Sequence, residues 1–260
     1  MGTPLKTPPV YFTVAQVRFN AILKLREFLP GIQEELRKVG FPDYGEHQAV
    51  VLQLATQDGK VVPVPAVQER FAFGNVKKTH TFWLDSQSLT LQSTDYGRFE
   101  DFSAAFLRGL DIVHGVVRLD FTERVGLRYL DRVMPRQADA LDQYLTPEVL
   151  GLSRRLRGNP LHSYSETLSE MDNIKMISRV VIQNGGLAFP PDLMPGDMAV
   201  PERFKAYKGP NAILDNDGFV ENREEYSRET VSKLLHAIHD VIIGAFRVAA
   251  SDYAFKVWNE

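Results

Sequence analysis

The chain has no cysteine. That absence excludes disulfides, thiolate nucleophiles, zinc ribbons and iron–sulfur clusters together, and it suits a reducing compartment. Basic excess is also missing: 30 Lys and Arg stand against 33 Asp and Glu, a net charge of −3. No overall field therefore draws the protein to nucleic acid. No apolar run approaches the roughly 20 residues that cross a bilayer. The opening MGTPLKTPPV has neither the basic nor the apolar region of a signal peptide, and Lys6 stands where N-myristoylation needs Ser or Thr. A soluble, cytoplasmic protein without membrane attachment is expected.

Motifs for chemistry are equally sparse. There is no G-x-S-x-G elbow, and Gly185-Gly186 is followed by Leu187 rather than the Lys of a phosphate loop. Asp215-Asn216-Asp217-Gly218 resembles part of a calcium loop, but Ile213 stands where a ligand should be, so it reads as a turn between strands. His236, His239 and Asp240 share helical spacing. Two of them point away from the apolar stripe, so a solvated face explains them better than a metal. No metal and no cofactor are expected.

What is present is a core-forming composition, 44% hydrophobic over 260 residues, and one unusual stretch. Residues 122–133 read TERVGLRYLDRV. With the period of two of a β-strand, Val125, Leu127, Tyr129 and Val133 share one face, interrupted only by Asp131. Arg124, Gly126, Arg128, Leu130 and Arg132 share the other, with guanidinium groups roughly 7 Å apart along the strand. Guanidinium stays charged and is rarely buried unpaired. That face must meet solvent, carboxylates in a cross-strand ladder, or an anionic ligand.

Around this stretch the pattern runs strand (11–19), helix (25–39), strand (48–55), a proline-broken edge or loop (61–67), strands at 70–73, 80–84 and 89–92, and a helical stripe from Tyr96 to Val117. Pro30 implies that the first helix begins near Leu29, with Pro30 in its first turn. After the arginine strand come a short helix (147–157), strands at 164–168 and 174–183, a proline-rich loop (189–201), short strands at 212–214 and 219–220, and a final helix (227–250). Residues 1–120 and 121–260 thus form two similar halves, each a strand, a short helix, several strands and a long helix. Val17-Arg18-Phe19 and Leu127-Arg128-Tyr129 occupy matching places. The expected fold is α+β, a broad twisted antiparallel sheet shared by both halves with the long helices on one face and the other face open.

Several strings, V-R-F after Pro8-Pro9, L-Q-S-T-D-Y-G-R-F, R-V-G-L-R-Y-L-D-R-V and the closing D-Y-A-F-K-V-W, resemble a sporadically distributed prokaryotic family of about this length. That family usually has Asn where this chain has Asp131. The resemblance implies no activity, and patchy distribution associates such genes with bacterial defence or toxin–antitoxin systems. The expectation is a non-catalytic binding or regulatory protein, recognising a protein partner or an anionic ligand through Arg124, Arg128, Arg132 and Arg18. Nucleic acid is the less favoured partner. On that expectation, alanine at Arg128 and Arg132 leaves the thermal midpoint nearly unchanged. The alternative is an enzyme or nucleic-acid-processing component whose groups, such as Asp131 with His162 or Glu166, converge only in the fold.

Overall fold

The computed structural model describes residues 5–57, 60–157, 161–193 and 195–260, with backbone alone between 49 and 66. The residue types at Gln57-Asp58-Gly59 predict a turn, which falls largely outside the described residues. The first half contains β1 (Val10–Phe19), α1 (Leu25–Lys38), β2 (Asp43–Gln57), β3 (Lys60–Gly74), β4 (His80–Leu84), β5 (Ser88–Ser93) and α2 (Phe99–Val117). The second contains β6 (Phe121–Val133), α3 (Pro147–Leu150), β7 (His162–Met171), β8 (Ile174–Asn184), α4 (Glu202–Ala206), β9 (Pro210–Glu225), α5 (Arg228–Ala249) and α6 (Asp252–Asn259).

Among the described residues all nine strands join one sheet, in the order β2-β3-β4-β5-β1-β6-β9-β8-β7, and every pairing is antiparallel. This is the α+β architecture with a broad antiparallel sheet that the sequence pattern implies. The seam between the halves is β1 on β6, with Gln16 opposite Gly126 and Arg18 opposite Arg124. In each half the last strand, β5 or β9, returns to lie beside the first.

Alternation decides the faces. Ala15, Val17 and Phe19 of β1 and Val125, Leu127 and Tyr129 of β6 lie in one apolar cluster with buried residues of α1, α2 and α5. Gly218 of β9 sets the spacing of α5. A Cβ there would stand 2.7 Å from Ile238 Cγ2 and 3.2 Å from Ile242 Cδ1. Gly218→Ala should therefore destabilise the protein by about 1–3 kcal/mol through overpacking, read from urea unfolding. An unchanged midpoint would mean that α5 can lift off the sheet without loss.

Four expectations need correction. Helix α1 starts at Leu25, and Pro30 lies in its second turn. Burying both Leu25 and Leu29, with Arg26 clamped to Glu69 at 2.6 Å, offsets the one hydrogen bond that Pro30 cannot donate. The proline-broken stretch at 61–67 needs no such correction, since of its two readings the edge holds: it belongs to β3, which pairs with β2 over residues 60–74 but with β4 only over 71–74. Pro63 and Pro65 thus need no second partner strand. Asp215 to Gly218 are not a turn: β9 is continuous through them and bonded on both sides. A further helix, α6, follows α5, capped by Ser251, whose hydroxyl accepts from Ala254 N.

The fourth correction bears most on function. The sheet face away from α2 and α5 is not open throughout. Residues 185–193 and 195–209, which include α4, cross it as a strap. Phe12, Val14, Leu130 and Ile213 are apolar on that face and pack with Met198 and Phe204 of the strap, with Leu187, Phe189 and Leu193 against them. An exposed apolar patch of that extent needs cover. A β-bulge between Val10 and Phe12 turns Tyr11 to the same side, where its hydroxyl donates to the Ala188 carbonyl at 2.8 Å.

Candidate functional site: a charged cleft on the sheet face

The arginines of β6 do point away from the helices, as their parity requires, but they meet three different environments. Arg132 is fully buried beneath the strap, with 0% exposure. Its Nε donates to Asn211 Oδ1 at 3.1 Å and its Nη2 to the Gly185 carbonyl at 2.7 Å. It also donates to the carbonyls of Phe204 and Tyr207. Arg132 fastens the two ends of the strap, which is a structural employment that the alternating pattern did not reveal.

Arg128 is 6% exposed and lies in a chain of charges across four strands. Its Nε and Nη2 grip both oxygens of Asp215 at 2.6 and 2.7 Å, and Nη1 reaches Asp192 of the strap at 2.5 Å. Asp215 also meets Arg179 at 3.4 Å, and Arg179 meets Glu166 at 2.7 Å. Burial works against the charge on Arg128, but the bonds to Asp215 and Asp192 outweigh it and raise its pKa. Burial likewise opposes the charge on Asp192, yet Arg128 holds its carboxyl below the ordinary range. The cross-strand ladder thus accounts for Arg128.

It does not account for Arg124 and Arg18. Past Arg128 the strap ends and leaves a cleft of about 360 Å³, lined by Gln16, Arg18, Arg124, Gly126, Asp217 and Glu221 among others. The Arg124 side chain is 18% exposed and stands 3.7 Å from Asp217. Its one hydrogen bond to a described residue is to Gln16 Oε1 at 3.1 Å, and its guanidinium lies 4.5 Å over the Phe219 ring. Gly126 allows this posture: a Cβ there would stand 2.6 Å from Arg124 Nη1. Arg18 is exposed, and its side chain makes no hydrogen bond or ion pair with any described residue. It lies directly across the seam from Arg124, and like charges so placed repel. Burial first, and then Arg18 and Arg128, push the Arg124 pKa down. The Asp217 carboxylate accepts no hydrogen bond from a described residue, and burial pushes its pKa up despite Arg124 and Arg128.

On the helix side a second polar group interrupts the core. The Tyr129 hydroxyl is hydrogen-bonded to that of Tyr96 at 2.8 Å and to His239 Nδ1 at 3.0 Å, while Phe99 stacks on the His239 ring at 4.0 Å. Burial holds the His239 pKa down. His239 is therefore tied into the helix–sheet contact rather than solvated with His236. Asp131, 7% exposed, shares this face with no side-chain hydrogen bond to any described residue, and burial pushes its pKa up to about 7. Asp131 does not converge with His162 or Glu166: those lie on the edge strand β7, beyond β9 and β8.

Of the four arginines singled out in the sequence, the fold thus brings Arg18, Arg124 and Arg128 to one cleft and covers Arg132, on the same sheet face, with the strap. Sequence reasoning missed Asp192, Asp215, Asp217 and Gln16. The signal for the aspartates was available, because Asp215, Asp217, Phe219 and Glu221 alternate as a strand face once the turn reading is abandoned. No protein-family model matches the chain, and no curated protein matches it significantly.

Proposed function

We propose that this is a binding protein that holds an anionic group, a carboxylate or phosphate, between Arg18 and Arg124 in the sheet-face cleft. The observation that carries the reading is the Arg18–Arg124 juxtaposition across the seam, with the Asp217 carboxylate loosely placed at 3.7 Å and Glu221 engaged by Lys175. A shared anion would replace repulsion with charge-assisted hydrogen bonds. Asp217 would accept from a donor on the same ligand, so the favoured class is a small molecule with an anionic group beside an N–H or O–H. Arg128, engaged by Asp215 and Asp192, acts as a positioning residue that holds the floor and the strap edge of the cleft.

Calorimetric titration with inorganic phosphate and with glutamate tests this. Arg18→Ala and Arg124→Ala should each weaken binding about 10-fold or more, the loss of a charge-assisted hydrogen bond of roughly 1.5–3 kcal/mol. Arg18→Ala, at an exposed side chain, should leave unfolding unchanged within about 0.5 kcal/mol. Wild-type affinity in the Arg18→Ala and Arg124→Ala variants would sink the proposal.

A further inference from the structure

Arg132 ends the strand's arginine series at a different cavity, and the charge balance there is unlike that of the cleft. This second cavity has a volume of about 270 Å³. Its apolar lining includes Met134, Val257 and Trp258, and its charged lining is Arg132, Arg136 and Arg203. Arg136 is paired with Glu260 at 2.6 Å in an exposed position, where such a pair holds weakly. Arg203 donates to the Pro8 carbonyl at 2.6 Å and lies 4.2 Å over the Phe204 ring. It has no carboxylate partner among the described residues. Arg132 donates to one amide and three carbonyls, and it too lacks a carboxylate among the described residues.

Two formal positive charges, one of them fully buried, therefore border a small cavity without a carboxylate partner of their own among the described residues. In the sheet-face cleft, by contrast, each cation but Arg18 has an acidic neighbour. Buried charge without a partner is unfavourable, and an entering anion would supply one. We infer that this cavity is a second, separate binding site for a small organic anion. Its carboxylate or phosphate would sit on Arg203 and Arg136, over the fixed charge of Arg132, and its short hydrocarbon or aromatic body against Met134, Val257 and Trp258. The volume lies just under the usual range for ligand pockets, about 300–1,000 Å³, so the ligand is a small one.

Trp258 is the natural reporter. In a Trp83→Phe background it is the sole tryptophan, since the chain has 2. Hexanoate and phenyl phosphate should change its emission saturably, with Kd below about 1 mM. Hexanol, which lacks the charge, and inorganic phosphate, which lacks the apolar body, should each bind at least about 10-fold more weakly. Arg203→Ala should weaken hexanoate about 10-fold or more. Because Arg203 also steadies the chain at Pro8, Arg136→Ala provides a second variant at an exposed position, with the same expected direction. Arg18→Ala should change nothing here, which separates this site from the sheet-face cleft. Hexanol binding as tightly as hexanoate, the absence of any saturable change, or wild-type hexanoate affinity in Arg203→Ala and Arg136→Ala proteins of normal thermal midpoint would overturn the inference.

Discussion

Arg128→Ala should cost about 3–5 kcal/mol of stability, the largest loss expected from any single change on the sheet face. The pair it breaks is buried on both sides, with side-chain exposures of 7% for Arg128 and 2% for Asp215. Removing the guanidinium strands the Asp215 carboxylate with only the longer contact to Arg179 at 3.4 Å. It also releases Asp192 and, with it, one edge of the strap. For a protein of this size the loss corresponds to a fall of roughly 10 °C in Tm. This reverses the expectation drawn from the strand pattern, under which Arg128 and Arg132 stood exposed and were dispensable to folding. A double replacement separates the causes. Arg128→Met with Asp215→Asn removes both charges and should recover a large part of the loss, because much of it is the stranded carboxylate rather than the value of the pair. Equal instability in the single and double variants would instead assign the effect to the strap.

Asp131→Asn should do the opposite, raising stability by about 2–4 kcal/mol at pH 8 and by almost nothing at pH 4. The carboxyl titrates near 7 in the folded protein, against an ordinary value of 3.8, because burial disfavours its charge. The folded state thus holds a proton that the unfolded chain gives up at about pH 4. Its contribution is complete below that pH and is lost as pH rises through 7. At about 1.4 kcal/mol per pKa unit the total is roughly 4 kcal/mol. Asparagine has no such dependence, and its buried amide subtracts a little from the gain. Urea unfolding from pH 4 to pH 8 reads the difference directly. Parallel wild-type and variant profiles would show that Asp131 is charged and paired in the folded protein.

The contrast between these two residues also shows what a linear pattern can and cannot convey. Parity along residues 122–133 placed each side chain on its correct face, because alternation is a local property of extended backbone. Whether a face is covered depends on segments far away in the chain. The strap over Arg132 comes from residues 185–193 and 195–209, and its proline-rich composition reads as a surface loop. The apolar residues beneath it, Phe12, Val14, Leu130 and Ile213, were the available sign that the second face needed cover. Asp215 to Gly218 misled for a related reason. Three turn-forming residues and a glycine override strand propensity in any local reading, whereas their partners, Arg128, Arg179 and the helix α5, become visible only in three dimensions. The α+β class was legible because long helical stripes and short alternating runs are both strong periodic signals. The terminal helix α6 was not, because eight residues give little more than two turns of pattern.

The central seam has a consequence during synthesis. Strand β1 finishes at Phe19, and on one side it receives β5, which ends at Ser93. Its other side waits for β6, which ends at Val133. At about 5–20 residues per second, the nascent first half carries a bare hydrogen-bonding edge in the middle of its future sheet for roughly 2–8 s after β5 is made. Such an edge invites pairing with a neighbouring nascent chain on the same messenger. Arg18 discourages that error by placing a charge beside the waiting edge, one of the ways in which exposed strands are kept from pairing.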